Sequence, residues 1–320
     1  MSDKNRKIEY AVMNPSQNIT ILVTTEVAES EYATIAKELL NLEPSAEQVG
    51  FIKFNGFNRQ LNLKKSKCDF FSNDIKIENE SVVYSDEKKY DIVLNMAGGE
   101  FCGNATMSTA VYYSIKNNIT CKSQNVDFTE AQKKVVVKSS GVDELITVDI
   151  KKIDDEWEGI VDMPRPFKIQ EVDFGAGDNF PVVFFKGIAH VIIDKKLIDK
   201  KKNDIIISKD SYKNYYENKI KKWCNILNVK ALGILLCDFG NIINMTPLVY
   251  VKSIDTLYLE SSCASGTTAI GAYLKDKTKK EININIKQPS GVELNIESKN
   301  GNKLLLKGKV VLLYEKTLII

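Results

Sequence analysis

Two cysteines stand where a thiol could do chemistry. Cys102 lies in GEFCGNATMS and Cys263 in LESSCASGTTA. Aligned on the thiols, both stretches carry a threonine four residues on (Thr106, Thr267) and a tyrosine ten residues on (Tyr112, Tyr273). A glutamate lies two or three residues before each thiol (Glu100, Glu260). Small residues follow each cysteine (Gly103, Asn104, Ala105; Ala264, Ser265, Gly266) and open into a helical pattern. The first turn of a helix leaves N–H groups unpaired and carries a partial positive charge. That setting draws a thiol toward thiolate and makes a cradle for a carboxylate. Small residues let a ligand approach the backbone closely. Two such corners facing one cleft would place a thiol on each side of one carbon. That arrangement suits racemisation: a thiolate removes the Cα proton from one face and a thiol returns one to the other. Fixed dipoles then meet the charge that spreads onto the substrate carboxylate, and closing the lobes to exclude water strengthens both effects.

A lone cysteine before a helix is ordinarily inert packing, and it is the internal repeat that argues for function here. A redox pair of Cys102 with Cys263 is a lesser alternative, which fits poorly with each thiol held at a helix N-terminus on a separate lobe. Cys68, Cys121, Cys224 and Cys237 lack the context and read as packing or surface residues.

The elements that must position these corners can be read from periodicity. Residues 8–12 and 19–24 read as strands around an Asn-Pro-Ser turn. Tyr32, Ile35, Ala36, Leu39 and Leu40 form one helical stripe. EQVGFI and YDIVLNM read as strands, the second leading into Cys102, with Met107, Ala110, Val111 and Ile115 striping the helix beyond. The polar, lysine-rich stretch over about 55–89 reads as a surface insertion. The second half repeats this logic. Strands near 145–150, 158–163 and 181–194 precede a helix near 209–228, striped by Tyr212, Tyr216, Ile220, Trp223 and Leu227. ALGILLCDF, LVYVKS and DTLYLES follow as strands, the last leading into Cys263 and a helix with Ala269, Ile270, Tyr273 and Leu274. The tail is strand-rich. The expectation is an α+β chain of two similar lobes, residues 1–137 and 138–304, with the strand over about 305–320 returning to the first.

The 320 residues suit two domains, and 43% hydrophobic content allows each a core. A net charge of +2, from 44 basic and 42 acidic residues, gives no argument for nucleic acid or an anionic membrane. No apolar run reaches the roughly 20 residues of a membrane span, and no signal peptide is evident, so a cytoplasmic enzyme is expected. Six scattered cysteines without CxxC do not read as a disulfide framework. One histidine and no paired ligand spacing give no zinc site. No Walker loop or GxGxxG is present. Neither a metal nor a cofactor is expected.

With both corners in hand, the chain resembles the diaminopimelate epimerase superfamily of cofactor-independent racemases, and within it the histidine racemases of staphylopine-type metallophore pathways. NPSQNITILV (14–23), SEYATIAKELL (30–40), EQVGFI (47–52), EFCGNATMS (100–108) and SSCASGT (261–267) carry the resemblance. It implies two lobes, each a sheet or barrel wrapped around a central helix, with the active site in the cleft. By the same resemblance Cys102 and Cys263 are the two bases, and Gly103, Asn104 and the backbone at Ser265, Gly266 and Thr267 hold the α-carboxylate. Asn18 lines the pocket, Gln48 stands at the substrate end and Glu47 lies at the pocket. Family members are commonly homodimers. The departures matter as much. GIAH stands where diaminopimelate epimerases carry an Asn-Pro-His stretch, and no arginine precedes Cys263. A pocket without an arginine fork would hold a second carboxylate poorly, so a different side chain, histidine, is expected. His190, the single histidine, reads as a core residue in the strand-like HVIID. The competing readings are a diaminopimelate epimerase with an unusual pocket, a phenazine-type isomerase, and a non-catalytic amino-acid-binding protein. The cysteine pair counts against the last two.

Overall fold

The computed structural model describes residues 6–55, 90–117, 133–154, 156–197, 209–299 and 303–320. The insertion expected over 55–89 falls outside the described residues from residue 56 on, as do Cys68 and Cys121.

The first half runs β1 (Lys7–Pro15), β2 (Thr20–Val23), α1 (Tyr32–Leu42), β3 (Gln48–Phe54), β4 (Ile92–Met96), α2 (Gly103–Lys116), β5 (Lys133–Ser139), β6 (Ile146–Ile153) and β7 (Glu156–Met163). Alternate residues of β1 face opposite ways, as the strand period requires. Ile8, Tyr10 and Val12 pack with Ile35, Ala36 and Leu39 of α1, while Ala11 and Met13 join the core that holds α2. The strands hydrogen-bond in chain order from β1 to β7. The last strand of the protein, β16 (Lys303–Ile319), pairs with both β7 and β1. The ring closes as an eight-stranded barrel, and α2 packs against all eight strands from inside. Every residue from Gly103 to Ser114 is therefore buried. The stripe of Met107, Ala110, Val111 and Ile115 was too narrow a reading, because a helix inside a barrel has no solvent face.

The second half runs β8 (Lys168–Asp173), β9 (Asn179–Phe184), β10 (Ala189–Asp194), α3 (Lys209–Ile226), β11 (Ala231–Phe239), β12 (Ile243–Val251), β13 (Thr256–Leu259), α4 (Ala264–Thr278), β14 (Asn283–Lys287), β15 (Glu293–Lys299) and the shared β16. Its sheet, β8-β9-β10-β11-β12-β14-β15-β16, curls around α4. On the outer face α3 seats Tyr212, Tyr216, Ile220 and Trp223 against β9 to β12. The fold is thus α+β with two lobes, each holding a central helix.

Three features differ from the expectation. The apolar run over 181–194 is two antiparallel strands, turned at Phe185–Ile188, where the Phe185 N–H donates to the Ile188 carbonyl at 2.9 Å. β8 was not foreseen. β6 and β7, read as opening the second half, pack against α2 in the first.

Candidate active site

β4 delivers the chain through a turn, closed by the Gly99 N–H on the Met96 carbonyl at 2.9 Å, to Cys102 at the head of α2. β13 delivers it to Cys263 at the head of α4. Each cysteine is the N-cap of its helix, with φ/ψ of −129°/113° at Cys102 and −125°/105° at Cys263. Each sulfur accepts the N–H three residues on: Ala105 at 3.4 Å and Gly266 at 3.3 Å. Each cysteine carbonyl receives the hydroxyl of the threonine four residues on, Thr106 or Thr267, at 2.8 Å. The repeat seen in sequence is thus one hydrogen-bonded corner built twice. Caps are ordinarily Ser, Thr, Asp or Asn. Placing the poorer capping group there twice points to its chemistry rather than to helix stability.

The two corners face each other. A Cβ at Gly103 would stand 2.9 Å from Ala264 Cβ, so only glycine lets the helix ends approach this closely. Asn104 Nδ2 donates to the Ser262 carbonyl at 3.0 Å across the cleft. A second tie is Glu47, whose carboxylate accepts the Ser261 N–H at 3.0 Å. Between them lies a cavity of about 50 Å³, lined on its polar side by Glu47, Gln48, Glu100, Cys102, Glu260 and Cys263. That volume holds a few waters, at roughly 10–15 Å³ each, and no amino acid. The lobes must part to admit one.

Of the residues expected at the site, Glu47, Gln48, Cys102, Gly103, Asn104, Cys263 and Ser265 line the cavity. Asn18 stands one bond behind it, its Nδ2 donating to Glu47 at 2.7 Å and its Oδ1 accepting from Gln48. Gly266 and Thr267 are turned to Cys263 itself, by N–H and hydroxyl respectively. His190 is fully buried and does not line the cavity; it lies edge-on to Phe185, and burial lowers its pKa to about 3, so the ring is neutral.

Three groups had no assigned part in the sequence reading. Gln288, just after β14, accepts the Cys263 N–H at 3.0 Å and donates to Thr267 at 3.1 Å. No local pattern marks it. Glu100 and Glu260 were visible as the glutamates before each thiol, without a role. Burial raises the Glu100 carboxyl above the usual range, and its Oε2 has no hydrogen-bond partner. Burial first, then Glu47 and Glu100, push Glu260 up to about 8. Burial pushes both thiols above the ordinary range, Glu260 adding to the effect at each. Among the described residues the lining contains no Lys, Arg or His. The closed cavity thus disfavours added negative charge.

The histidine racemase CntK N-terminal domain family matches residues 7–77 and 72–315. The chain belongs to the histidine racemase family. A histidine racemase of Fusobacterium nucleatum subsp. nucleatum is 30% identical over 297 residues, covering 91% of this chain and 90% of that protein. One from Staphylococcus aureus is 26% identical over 317 residues, covering 95% and 94%. Among solved structures, a hydroxyproline epimerase from Agrobacterium vitis with bound trans-4-hydroxy-L-proline aligns with TM-score 0.63 at 11% identity, covering 100% of this chain and 94% of that one. A phenazine-biosynthesis family protein from Clostridium difficile aligns at TM-score 0.52 and 13% identity, covering 98% and 100%. At such identities these two speak for the fold alone. This member of the histidine racemase family is an isomerase, an amino-acid racemase by kinship. Among the described residues no helix is long and apolar enough to cross a membrane.

Proposed function

We propose that the protein interconverts L- and D-histidine by a two-base mechanism on a diaminopimelate epimerase-like fold, with Cys102 and Cys263 as the bases. The observation that carries this is the pair of matched N-cap thiols at helix ends held together by Gly103 and Ala264. A substrate between them would lay its carboxylate on the free first-turn N–H groups around Gly103, Asn104 and Ser265. Gly266 is less suited to this, since Cys263 already takes its N–H. One thiolate removes the α-proton, the facing thiol delivers another, and the helix ends hold the charge that builds on the carboxylate meanwhile. Around the cavity Asn104 Oδ1, Ser262 Oγ and Glu100 Oε2 are buried without partners, which supports a polar ligand completing them.

The side chain is chosen by charge. Among the described lining residues, three carboxyls and no cation favour a side chain that donates hydrogen bonds or carries positive charge, as imidazole does. A second carboxylate would meet repulsion with nothing to offset it. Incubating the protein with a panel of L-amino acids, followed by chiral chromatography, tests this. Histidine should be racemised fastest, with diaminopimelate slower by at least about tenfold, a modest share of the discrimination an unpaired buried charge imposes. Faster turnover of LL-diaminopimelate than of L-histidine would overturn the reading.

A further inference from the structure

The three residues that end in Cys263 have their peptide groups held from both lobes. From the first lobe, Glu47 accepts the Ser261 N–H at 3.0 Å and Asn104 donates to the Ser262 carbonyl at 3.0 Å. Those two bonds break when the lobes part. The others come from the second lobe itself. The turn between β14 and β15 is closed by the Gln288 N–H on the Val292 carbonyl at 2.8 Å. From it the Ser290 N–H donates to the Ser261 carbonyl at 3.0 Å, and Gln288 Oε1 accepts the Cys263 N–H at 3.0 Å. Thr267 donates its hydroxyl to the Cys263 carbonyl at 2.8 Å and receives Gln288 Nε2 at 3.1 Å. Asn104 and Gln288 thus grip one peptide unit, the first at its carbonyl and the second at its N–H.

The Gln288 amide cannot turn over. The Cys263 N–H only donates, and the Ile286 carbonyl, 2.9 Å from Nε2, only accepts. The residue is 3% exposed, so water does not replace a lost partner. Cys102 is held otherwise. Thr106 donates to its carbonyl as Thr267 does to that of Cys263, but its sulfur donates to Gln48 Oε1 at 2.9 Å. One glutamine meets a thiol, the other a backbone.

We propose that Gln288 is a positioning residue for Cys263: when the lobes part and Asn104 and Glu47 let go, its amide keeps the Ser262–Cys263 peptide plane, and so the aim of the Cys263 sulfur, where closure on substrate needs it. The inference rests on the two-base reading above. The sulfur lies three bonds from the Cys263 nitrogen, so a tilt of that plane carries the sulfur with it.

Each thiol can be read alone. In Cys102→Ser, α-proton exchange of histidine in D₂O reports Cys263, and in Cys263→Ser it reports Cys102. Gln288→Met, which keeps the side-chain length and removes both hydrogen-bonding groups, is added to each. Exchange by Cys263 should fall about tenfold or more, since a misplacement near 1 Å costs about 10²-fold. Exchange by Cys102 should stay within about twofold, because Cys102 shares none of these bonds. Gln288→Glu keeps an oxygen against the Cys263 N–H and should lose less. Should Gln288→Met not fold, Gln288→Glu carries the comparison and should still slow Cys263 more than Cys102. A second readout does not depend on turnover. Amide hydrogen exchange over 261–267 should quicken about tenfold in Gln288→Met, the factor one buried hydrogen bond carries, while that over 100–106 should not. Parental α-proton exchange by Cys263 in a folded Gln288→Met enzyme overturns the proposal, as does unchanged amide exchange over 261–267. So does equal loss at both thiols in Gln288→Met and Gln288→Glu alike, which marks a residue that serves folding alone. Single-serine variants that exchange no α-proton would instead sink the two-base reading, and the amide exchange then still decides whether Gln288 holds this corner.

Discussion

Cys102→Ser and Cys263→Ser should each lose histidine racemisation by about 10²–10⁴-fold, the scale of a general acid or base, while each still exchanges the α-proton of one enantiomer in D₂O. A serine hydroxyl is far less acidic than a thiol, so each variant retains one working base. That base can remove the proton facing it and return a solvent-derived one to the same face. The two cysteines cap the facing N-termini of α2 and α4, so the enantiomers exchanged should be opposite. Chiral separation followed by mass analysis of each enantiomer reads this directly. Both variants exchanging the same enantiomer, or either racemising near the parent rate, would contradict the placement of the thiols on two faces of one carbon.

The second large effect comes from a residue with no side chain. Gly103→Val should lower kcat/KM about 10²-fold with the fold intact. A Cβ there would stand 2.9 Å from both Ala264 Cβ and Met163 Cε, and valine adds two methyls beyond it. The helix ends must separate, and a displacement near 1 Å at a reaction centre costs about that factor. Gly240 has nothing nearer than 3.7 Å to an added Cβ, so Gly240→Ala is the matched control and should be neutral. Steady-state kinetics beside thermal melts checks the pair. A Gly103→Val enzyme with parental kcat/KM would show that the close approach of the two helices does not matter to the reaction.

The thiol corners were legible because everything that builds them is local. The cap, the small residues after it and the threonine that receives the cysteine carbonyl lie within four residues of each thiol. The helix stripes of α1 and α3 were legible for the same reason, since one face of each meets a sheet. What surrounds the corners is not local. Glu47 meets the Ser261 N–H across 214 residues, Asn104 meets Ser262 across 158, and Gln288 reaches back 25 to Cys263. No window of sequence contains such pairs. Barrel closure was hidden in another way: one 17-residue strand, β16, serves β15, β7 and β1 at once, and its pattern reads only as a strand. The turn at Phe185–Ile188 lay inside an apolar run, where Lys186 and Gly187 are the sole polar or small break before Ile188. The glutamates before the thiols were visible as residues, yet their role depends on burial, which only the closed lobes provide.

The central claim, two bases on opposite faces of the α-carbon, is tested most directly by following L-histidine in D₂O with the parent enzyme to low conversion. Separated by chirality and weighed, the D-histidine formed should carry one deuterium at Cα, while the recovered L-histidine keeps its protium. Deuterium entering the L-histidine pool as fast as D-histidine forms would mean that one group serves both faces, and would contradict the account.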